Sequence, residues 1–308
     1  MKIYINKANE NWICDRIREE FYEYNKDIVT ENKDEADIIW ILAPWLWKGI
    51  TKKENQKVMT TIHHIVPDKF DLDEFTARDE FTDVYHVPNI HTSSFIKQYT
   101  NKPVITIGYW YDPKKWYRTG HKISRERLGI DKNDFVIGSF QRDSEGSDPL
   151  KPKLEKGPDI FCDIVEKFQK QMEKSKLNLH IILGGWRREY IISRLKKAGI
   201  KYTYKELVDL ETLRLMYGSC NMYLITSRYE GGPQALLESL AMNVPVFSTK
   251  VGMAEDVLTD YFLIDDPNKF TVPQKDLQNL LTSLDNVTKF NIDNIKHFYI
   301  SLFKRMIG

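Results

Sequence analysis

Cysteine is nearly absent from this chain: three residues in 308, Cys14, Cys162 and Cys220, none close to another in sequence. So sparse and odd a set supplies neither a disulfide framework nor a clustered zinc site. A long apolar run is missing as well. The longest, residues 38–47, is ten residues broken by Pro44, against the roughly 20 that a membrane-spanning helix needs. There is no excess of charge, with 45 Lys and Arg against 44 Asp and Glu for a formal +1. That balance removes any global attraction to nucleic acid or to an anionic membrane surface. A G-x-G-x-x-G turn after a strand is lacking too, which excludes a dinucleotide-dependent oxidoreductase. Residues 1–7 alternate apolar with polar and read as an opening strand, not a signal peptide. The expectation is a soluble, cytoplasmic protein with no integral membrane segment, in which the sequon at Asn286 is coincidental.

What is present can build cores. Apolar residues make up 42%, aromatics 12% and charged residues 29%, a mixture that folds and keeps a polar surface. The length suggests about two domains. Candidate strands at 2–6, 37–42, 58–63, 83–87 and 104–107 alternate with helices at 12–23 and 93–99, the latter capped by Thr92. An aromatic loop over 109–120 breaks the rhythm. A second series then begins, with strands at 135–140, 179–184, 222–226, 246–248 and 262–264, and helices at 158–174 and 187–198. Such alternation implies parallel strands with helices on both faces. The fold class expected is therefore α/β, as two Rossmann-like, doubly wound parallel-sheet domains joined near residues 112–125. Ligands of such sheets sit outside the carboxyl ends of the strands, and with two halves the natural site is a cleft between them.

The strongest local signal is Ser-Arg-Tyr-Glu-Gly-Gly-Pro-Gln-Ala-Leu-Leu-Glu at 227–238. A strand ends, Gly231 and Gly232 let the backbone turn, and Pro233 suits the first position of a helix. The amides that follow, on Gln234 and Ala235, favour an anion at the helix start. Glu230 precedes that start and Glu238 lies about a turn and a half beyond it. Two carboxylates flanking a phosphate pocket suit two sets of sugar hydroxyls. Taken alone, the same residues also fit an ordinary strand-to-helix turn with one capping acid.

Together with Ala-Met-Asn-Val-Pro-Val-Phe-Ser-Thr at 241–249 and then Val251-Gly252, the segment resembles the donor-binding motif of retaining glycosyltransferases of family 4, the glycosyl transferases group 1. The E-x(7)-E pattern is matched by Glu230 and Glu238, and the likeness spans roughly forty residues, 213–257. The resemblance implies the GT-B fold, two Rossmann-like domains facing across a cleft. It implies that Glu230 binds hydroxyls of the transferred sugar and Glu238 the ribose, while amides of Gly232, Gln234 and Ala235 meet sugar hydroxyls and diphosphate. Pro233 lacks the amide that members with glycine there supply.

The same resemblance gives a leaving diphosphate to Arg142 and Lys156, a planar fork and a mobile point charge. Here Ser139 stands where the family's Arg usually does, and the spacer from Arg142 to Lys156 is long, its 144–153 stretch reading as a flexible surface insertion. Solvated surface charges are the alternative for both. Tyr204 falls in the region of the family's base site, with a packing role as the alternative. In the amino-terminal half, His63 and His64 follow a strand and one of them, His63 by preference, would reach a sugar hydroxyl. The loop at 7–12 has none of the glycines found there in many members. Trp45, Trp47, Trp110 and Trp116 would stack on sugars or be buried. Asp71-Leu72-Asp73 reads as a solvated loop, and no metal site is expected.

The domains expected are 1–115, completed by an amphipathic helix at 291–307 that crosses back, and 116–290. At this length the chain resembles compact, virus-encoded members of the family. The function implied is retaining transfer of a hexose from a nucleotide diphosphate sugar, with GDP-mannose preferred and UDP-sugars next, to a glycan or glycoprotein acceptor. The alternative is a non-catalytic nucleotide-sugar-binding protein on the same scaffold. Acceptor, linkage and oligomeric state are left open.

Overall fold

The computed structural model describes residues 1–10, 13–174, 177–274 and 276–308. They form two compact units, Met1–Asp112 with Lys289–Gly308, and Pro113–Thr288.

In the first unit β1 (Ile3–Ile5), α1 (Ile13–Tyr24), β2 (Ile38–Ile41), β3 (Lys57–Thr61), α2 (Leu72–Phe81), β4 (Val84–Val87), α3 (Ile90–Ile96) and β5 (Val104–Thr106) follow one another. All five strands are parallel and lie in chain order, with Ile3 opposite Ile38 and Ile38 opposite Lys57. A strand such as Ile-Ile-Trp-Ile in β2 is buried throughout, which is how a parallel strand covered on both faces reads. Trp12, where the sequence starts the first helix, lies outside the described residues.

In the second unit come α4 (His121–Leu128), β6 (Phe135–Phe140), α5 (Pro158–Lys174), β7 (Leu179–Gly184), α6 (Glu189–Lys197), β8 (Lys201–Lys205), α7 (Leu210–Ser219), β9 (Met222–Ile225), α8 (Gln234–Ala241), β10 (Val246–Thr249), α9 (Ala254–Val257), β11 (Leu263–Ile264) and α10 (Leu277–Thr288). The sheet order is β11-β10-β9-β6-β7-β8. The chain therefore builds outward from β6 to β8 and then reverses, laying β9 on the other side of β6. α5 shows why it forms: Phe161, Ile164, Val165, Phe168 and Met172 recur at helical spacing and are the buried stripe.

The last helix, α11 (Ile292–Ile307), packs in the first unit and is capped by Asn291, which accepts from the Asn294 amide. Its Tyr299 ring stacks on buried Trp40 at 5.1 Å between centroids, beside Phe21 and Phe303. Trp110 joins this cluster and donates its indole N–H to buried Glu20 at 2.9 Å. A polar thread runs through the aromatics. The Trp40 indole donates to Thr61 Oγ1 (2.7 Å), Thr61 bonds His86 Nδ1 (3.0 Å), and His86 Nε2 donates to the Ile107 carbonyl (2.8 Å). The Tyr299 hydroxyl, 3.0 Å from His86 Nε2, donates to the Gly108 carbonyl at 3.1 Å.

Four local expectations change. α3 begins at Ile90, because the Asn89 side chain accepts from the Thr92 amide and caps three residues earlier than expected. Asp71 is exposed, as expected, but it caps α2 by accepting from the Glu74 amide, and Leu72 and Asp73 belong to the first turn of that helix and not to a loop. Residues 201–205, unassigned from sequence, form the edge strand β8, its ends marked by lysines. The 144–153 stretch is a closed loop. Ser144 is buried and bridges Pro152, and the Lys153 amide returns to the Asp143 carbonyl at 2.7 Å. The three cysteines are free and buried, and burial raises the Cys14 and Cys220 thiols to about 12, so neither is a ready thiolate. Among the described residues no helix is long and apolar enough to cross a membrane.

Burial lowers the His86 imidazole to about 4, whereas an unfolded histidine titrates near ~6.5. The unfolded chain thus binds the extra proton between these values, and the stability this neutral histidine confers is full above about pH 6.5 and drains as pH falls towards 4. Urea midpoints followed against pH should show the wild type losing about 3 kcal/mol more than His86→Gln by pH 4. Equal losses would refute a neutral His86.

Candidate functional site

The reversal between β6 and β9 sets side by side the carboxyl ends of two strands whose connections leave in opposite directions, the place where open α/β sheets take ligands. Two loops meet there. One follows β6 and returns through a short turn, Leu154–Lys156; the other follows β9 and runs to α8.

They are joined backbone to backbone. The Glu155 carbonyl accepts the amides of both Arg228 (2.8 Å) and Tyr229 (3.2 Å), and Thr226 Oγ1 donates to the Gly157 carbonyl at 2.8 Å. Gly157 has φ +60°, and a Cβ on it would lie 1.8 Å from the Thr226 carbonyl oxygen. Only glycine fits. Arg228 closes the outside with a bidentate pair to Asp159 (2.8 and 2.7 Å) and a bond to the Leu154 carbonyl.

This staple delivers Lys156 to Glu230. The ammonium lies 2.6 Å from Glu230 Oε1, and Ser227 Oγ donates to the same oxygen at 2.9 Å. Both side chains keep some exposure, 22% and 12%, so the pair can be reached by a ligand. Beyond Glu230, Gly231 is buried while Gly232 and Pro233 are half-buried. Pro233 occupies the cap position itself, one residue before the expected one, and α8 starts at Gln234. Gln234 and Ala235 therefore stand in its first turn, where amides and dipole favour negative charge. The 251–252 turn backs this segment: Gly252 has φ +59°, and a Cβ there would sit 2.7 Å from the Gly231 carbonyl oxygen.

Glu238, 4% exposed, receives a 2.7 Å hydrogen bond from the Tyr217 hydroxyl. Arg142 is half-buried, donates to the Ser144 carbonyl at 2.7 Å, and lies over the Trp186 ring at 4.9 Å. Tyr204 donates to the Gly185 carbonyl at 3.2 Å. Burial, with Glu206 beside it, pushes its phenol up to about 12, so it stays a donor. Of the residues proposed from sequence, Lys156 and Glu230 are in direct contact. Arg142, Tyr204 and Glu238 have the separate partners just described.

One pair escaped the sequence reading. Arg188 is fully buried and donates to the carbonyls of Ser139 and Gly184, both at 2.6 Å, and to Ser139 Oγ at 3.1 Å. Its Nε pairs with buried Asp143, whose other oxygen accepts the Ile191 amide at 3.1 Å. The pair thus locks the carboxyl ends of β6 and β7 to the start of α6. An Arg next to an Arg on a charged helix approach gives no signal of burial in one sequence.

In the first unit His63 follows β3. Its Nε2 donates to the Leu42 carbonyl at 2.8 Å, and its Nδ1 bonds the Tyr109 hydroxyl. Burial lowers its imidazole to about 4, leaving a neutral ring with both nitrogens engaged, while His64 is exposed. Trp110 and Trp116 are buried, Trp47 bonds Glu74, and Trp45 stays 49% exposed. The amides of Ala8, Asn9 and Glu10 all donate to the Asp15 carboxylate, at 3.0, 3.0 and 2.7 Å; Asn11 and Trp12 of this loop lie outside the described residues. Among the described residues no group of three or more His, Cys, Asp and Glu is placed to hold a metal.

Residues 150–293, just under half of the chain, match the family model of glycosyl transferases group 1. No match to a curated protein is found. Among solved structures, Anabaena Alr3699/HepE in complex with UDP-glucose superposes with a TM-score of 0.74 over 99% of both chains at 12% identity. Sucrose-phosphate synthase from Thermosynechococcus elongatus gives 0.65 over 94% of this chain and 77% of that one at 15% identity. A glycosyltransferase from Rickettsia africae gives 0.62 over 98% and 84% at 12% identity. The segment carrying the two-acid motif thus matches the glycosyl transferases group 1 model, and the two parallel-sheet units have the fold of these structures, GT-B.

Removing one partner of the Asp143–Arg188 pair strands a buried charge. Arg188→Met is expected to lower unfolding free energy by roughly 3–5 kcal/mol, read from urea denaturation. The double variant Asp143→Leu/Arg188→Met should recover much of that loss; an undiminished loss in the double variant would show that hydrogen bonding to the strand ends, not the ion pair, is what matters.

Proposed function

We propose that the protein is a retaining hexosyltransferase, moving a sugar from a nucleotide diphosphate donor to an acceptor hydroxyl. The observation that carries this reading is the Lys156–Glu230 pair, 2.6 Å apart at the switch point and just ahead of the first turn of α8. In this pair the ammonium neutralises the carboxylate. A donor diphosphate competes for Lys156, and Glu230 then turns to the hydroxyls of the sugar. The amides of Gly232, Gln234 and Ala235 supply neutral donors to the same groups, and Gly231 keeps the turn tight. Glu238, already accepting from Tyr217, would take a ribose hydroxyl, and Tyr204 would border the base.

In the transfer, the bond from the anomeric carbon to the β-phosphate oxygen breaks and the acceptor oxygen bonds to that carbon. The acceptor proton passes to the leaving phosphate on the same face, which gives retention. Charge grows on the diphosphate as it leaves, and preorganised donors placed there lower the barrier most. Lys156 fills that role, joined by Arg142 once it swings from Trp186. With Nδ1 and Nε2 both engaged, His63 would meet a sugar as a neutral ring face and not as a proton carrier. The first donors to compare are UDP-glucose, bound by the Anabaena protein of the same fold, and GDP-mannose, which the sequence resemblance favours.

The test is product formation across a panel of nucleotide sugars. With the active donor, Lys156→Ala should lower kcat by on the order of a hundredfold or more, the usual loss for one such donor, and Glu230→Ala should do the same. Transfer that survives Glu230→Ala intact would remove the role given to Glu230. Donor binding with no transfer to any acceptor or to water would instead favour the non-catalytic binding protein.

A further inference from the structure

The turn that ends β7 reads Gly-Gly-Trp-Arg-Arg at 184–188. Gly185 has φ +93°, where a Cβ would sit 2.6 Å from the Gln141 carbonyl oxygen. Arg187 adopts φ +58° although it is no glycine, a conformation that persists only where its surroundings fix it. What fixes it is the closed loop at 144–153. The Arg187 carbonyl accepts the Asp143 amide and the Ser144 hydroxyl, both at 3.4 Å, and its guanidinium donates to the Gly146 carbonyl at 2.5 Å.

Arg142 holds the same loop from the end of β6, donating to the Ser144 carbonyl at 2.7 Å. Both guanidiniums also lie against one indole, that of Trp186, 4.9 and 5.6 Å from its centroid, and this ring is 44% exposed. Other arginines of this unit have carboxylates: Arg188 has Asp143, Arg194 has Glu166 and Arg228 has Asp159. Among the described residues Arg142 and Arg187 have none. Two like charges on one exposed ring, bonded only to neutral carbonyls, leave planar forks open to an anion. A bond from guanidinium to phosphate is roughly twice as strong as one to a neutral acceptor, so a phosphate outcompetes these carbonyls.

The consequence falls on the loop. Ser144 is buried, so its carbonyl cannot lose Arg142 and stay in place without leaving an acceptor unsatisfied. The carbonyl has to reach water, and the loop has to move with it. It can move as one piece. The Glu145 amide donates to the Lys151 carbonyl at 3.1 Å, the two side chains pair at 2.9 Å, and the Lys153 amide closes the root on the Asp143 carbonyl.

We propose that Arg142 and Arg187, seated on Trp186, are a latch that a diphosphate opens. The anion draws both guanidiniums from the carbonyls of Ser144 and Gly146, and the 144–153 loop leaves the β7 turn. Naming the donor diphosphate as the natural ligand rests on the glycosyltransferase reading above, and the latch adds to it a loop whose position reports occupancy.

The test uses the full chain with inorganic pyrophosphate as the probe. The three native thiols are buried, so a cysteine placed at Leu150, 53% exposed at the outer end of the loop, takes a nitroxide label selectively. Its electron paramagnetic resonance spectrum should gain a mobile component as pyrophosphate is added, saturating together with binding measured by calorimetry. Sodium chloride at matched ionic strength should leave the spectrum unchanged. In labelled Arg187→Asn, where asparagine tolerates the left-handed turn, part of the mobile component should be present without pyrophosphate. No pyrophosphate binding, binding that leaves the label rigid, an equal response to chloride, or a rigid label in Arg187→Asn overturns the latch. Transfer from a nucleotide sugar with a rigid label throughout would refute the latch alone. A loop that opens with pyrophosphate in a protein that transfers from no donor would keep the latch and refute the transferase reading.

Discussion

The contact on which the candidate site depends is between two backbones. At Gly157 the returning loop of β6 lies against Thr226 so closely that a single methyl group would reach 1.8 Å from its carbonyl oxygen. Because glycine is there, the Glu155 carbonyl can take two amides of the neighbouring loop and Thr226 can bond the Gly157 carbonyl. Lys156 lies between these fixed points. Its charge is thus set on Glu230 by main-chain geometry, and the long lysine side chain has little freedom left to lose on meeting a ligand. Glycine at this position does the work of preorganisation, although it carries no chemistry of its own.

A second constraint acts one layer lower. Asp143 and Arg188 are buried charges, and burying charges is costly unless geometry and hydrogen bonds repay it. Here Arg188 satisfies two strand-end carbonyls and Asp143 satisfies a helix-start amide. The carboxyl ends of parallel strands leave such groups unpaired as the sheet stops, so the pair replaces ladder partners that no further residue provides. The same edge is where open α/β sheets take ligands. The cost of burying this pair has its origin in the abrupt end of β6 and β7, next to the reversal between β6 and β9.

These two constraints explain what could be read in the sequence. Buried strands such as β6 and β7 announced themselves as apolar runs with the right ends, and α5 as a helical stripe, because burial on both faces leaves a periodic trace. The two-acid motif was legible because its residue types are dictated by chemistry. The edge strand β8 was not, since lysines at an edge resemble a loop. Asn89 displaced Thr92 as a cap because both are capable cappers and only the tertiary position of α3 decides between them. The contact of Lys156 with Glu230, 74 residues apart, and the burial of Arg188 arise from strand order, and no local pattern encodes strand order.

The balance of charge in the chain takes on meaning at this level. The loop after β1 has no glycine because its amides are not held open for a phosphate. Ala8, Asn9 and Glu10 all close on Asp15, and Asn9, at φ +56°, tolerates the left-handed turn that this requires. The cations beside it, Lys7 and Arg18, are both paired with Glu31. In the first unit, then, these described amides and cations at the end of β1 are satisfied internally. In the second unit the start of α8 follows Glu230, whose ion pair with Lys156 retains some exposure. A near-neutral total conceals this division: at one sheet edge the described amides and cations close on side chains of their own unit, and the other keeps a partly exposed ion pair ahead of a helix start.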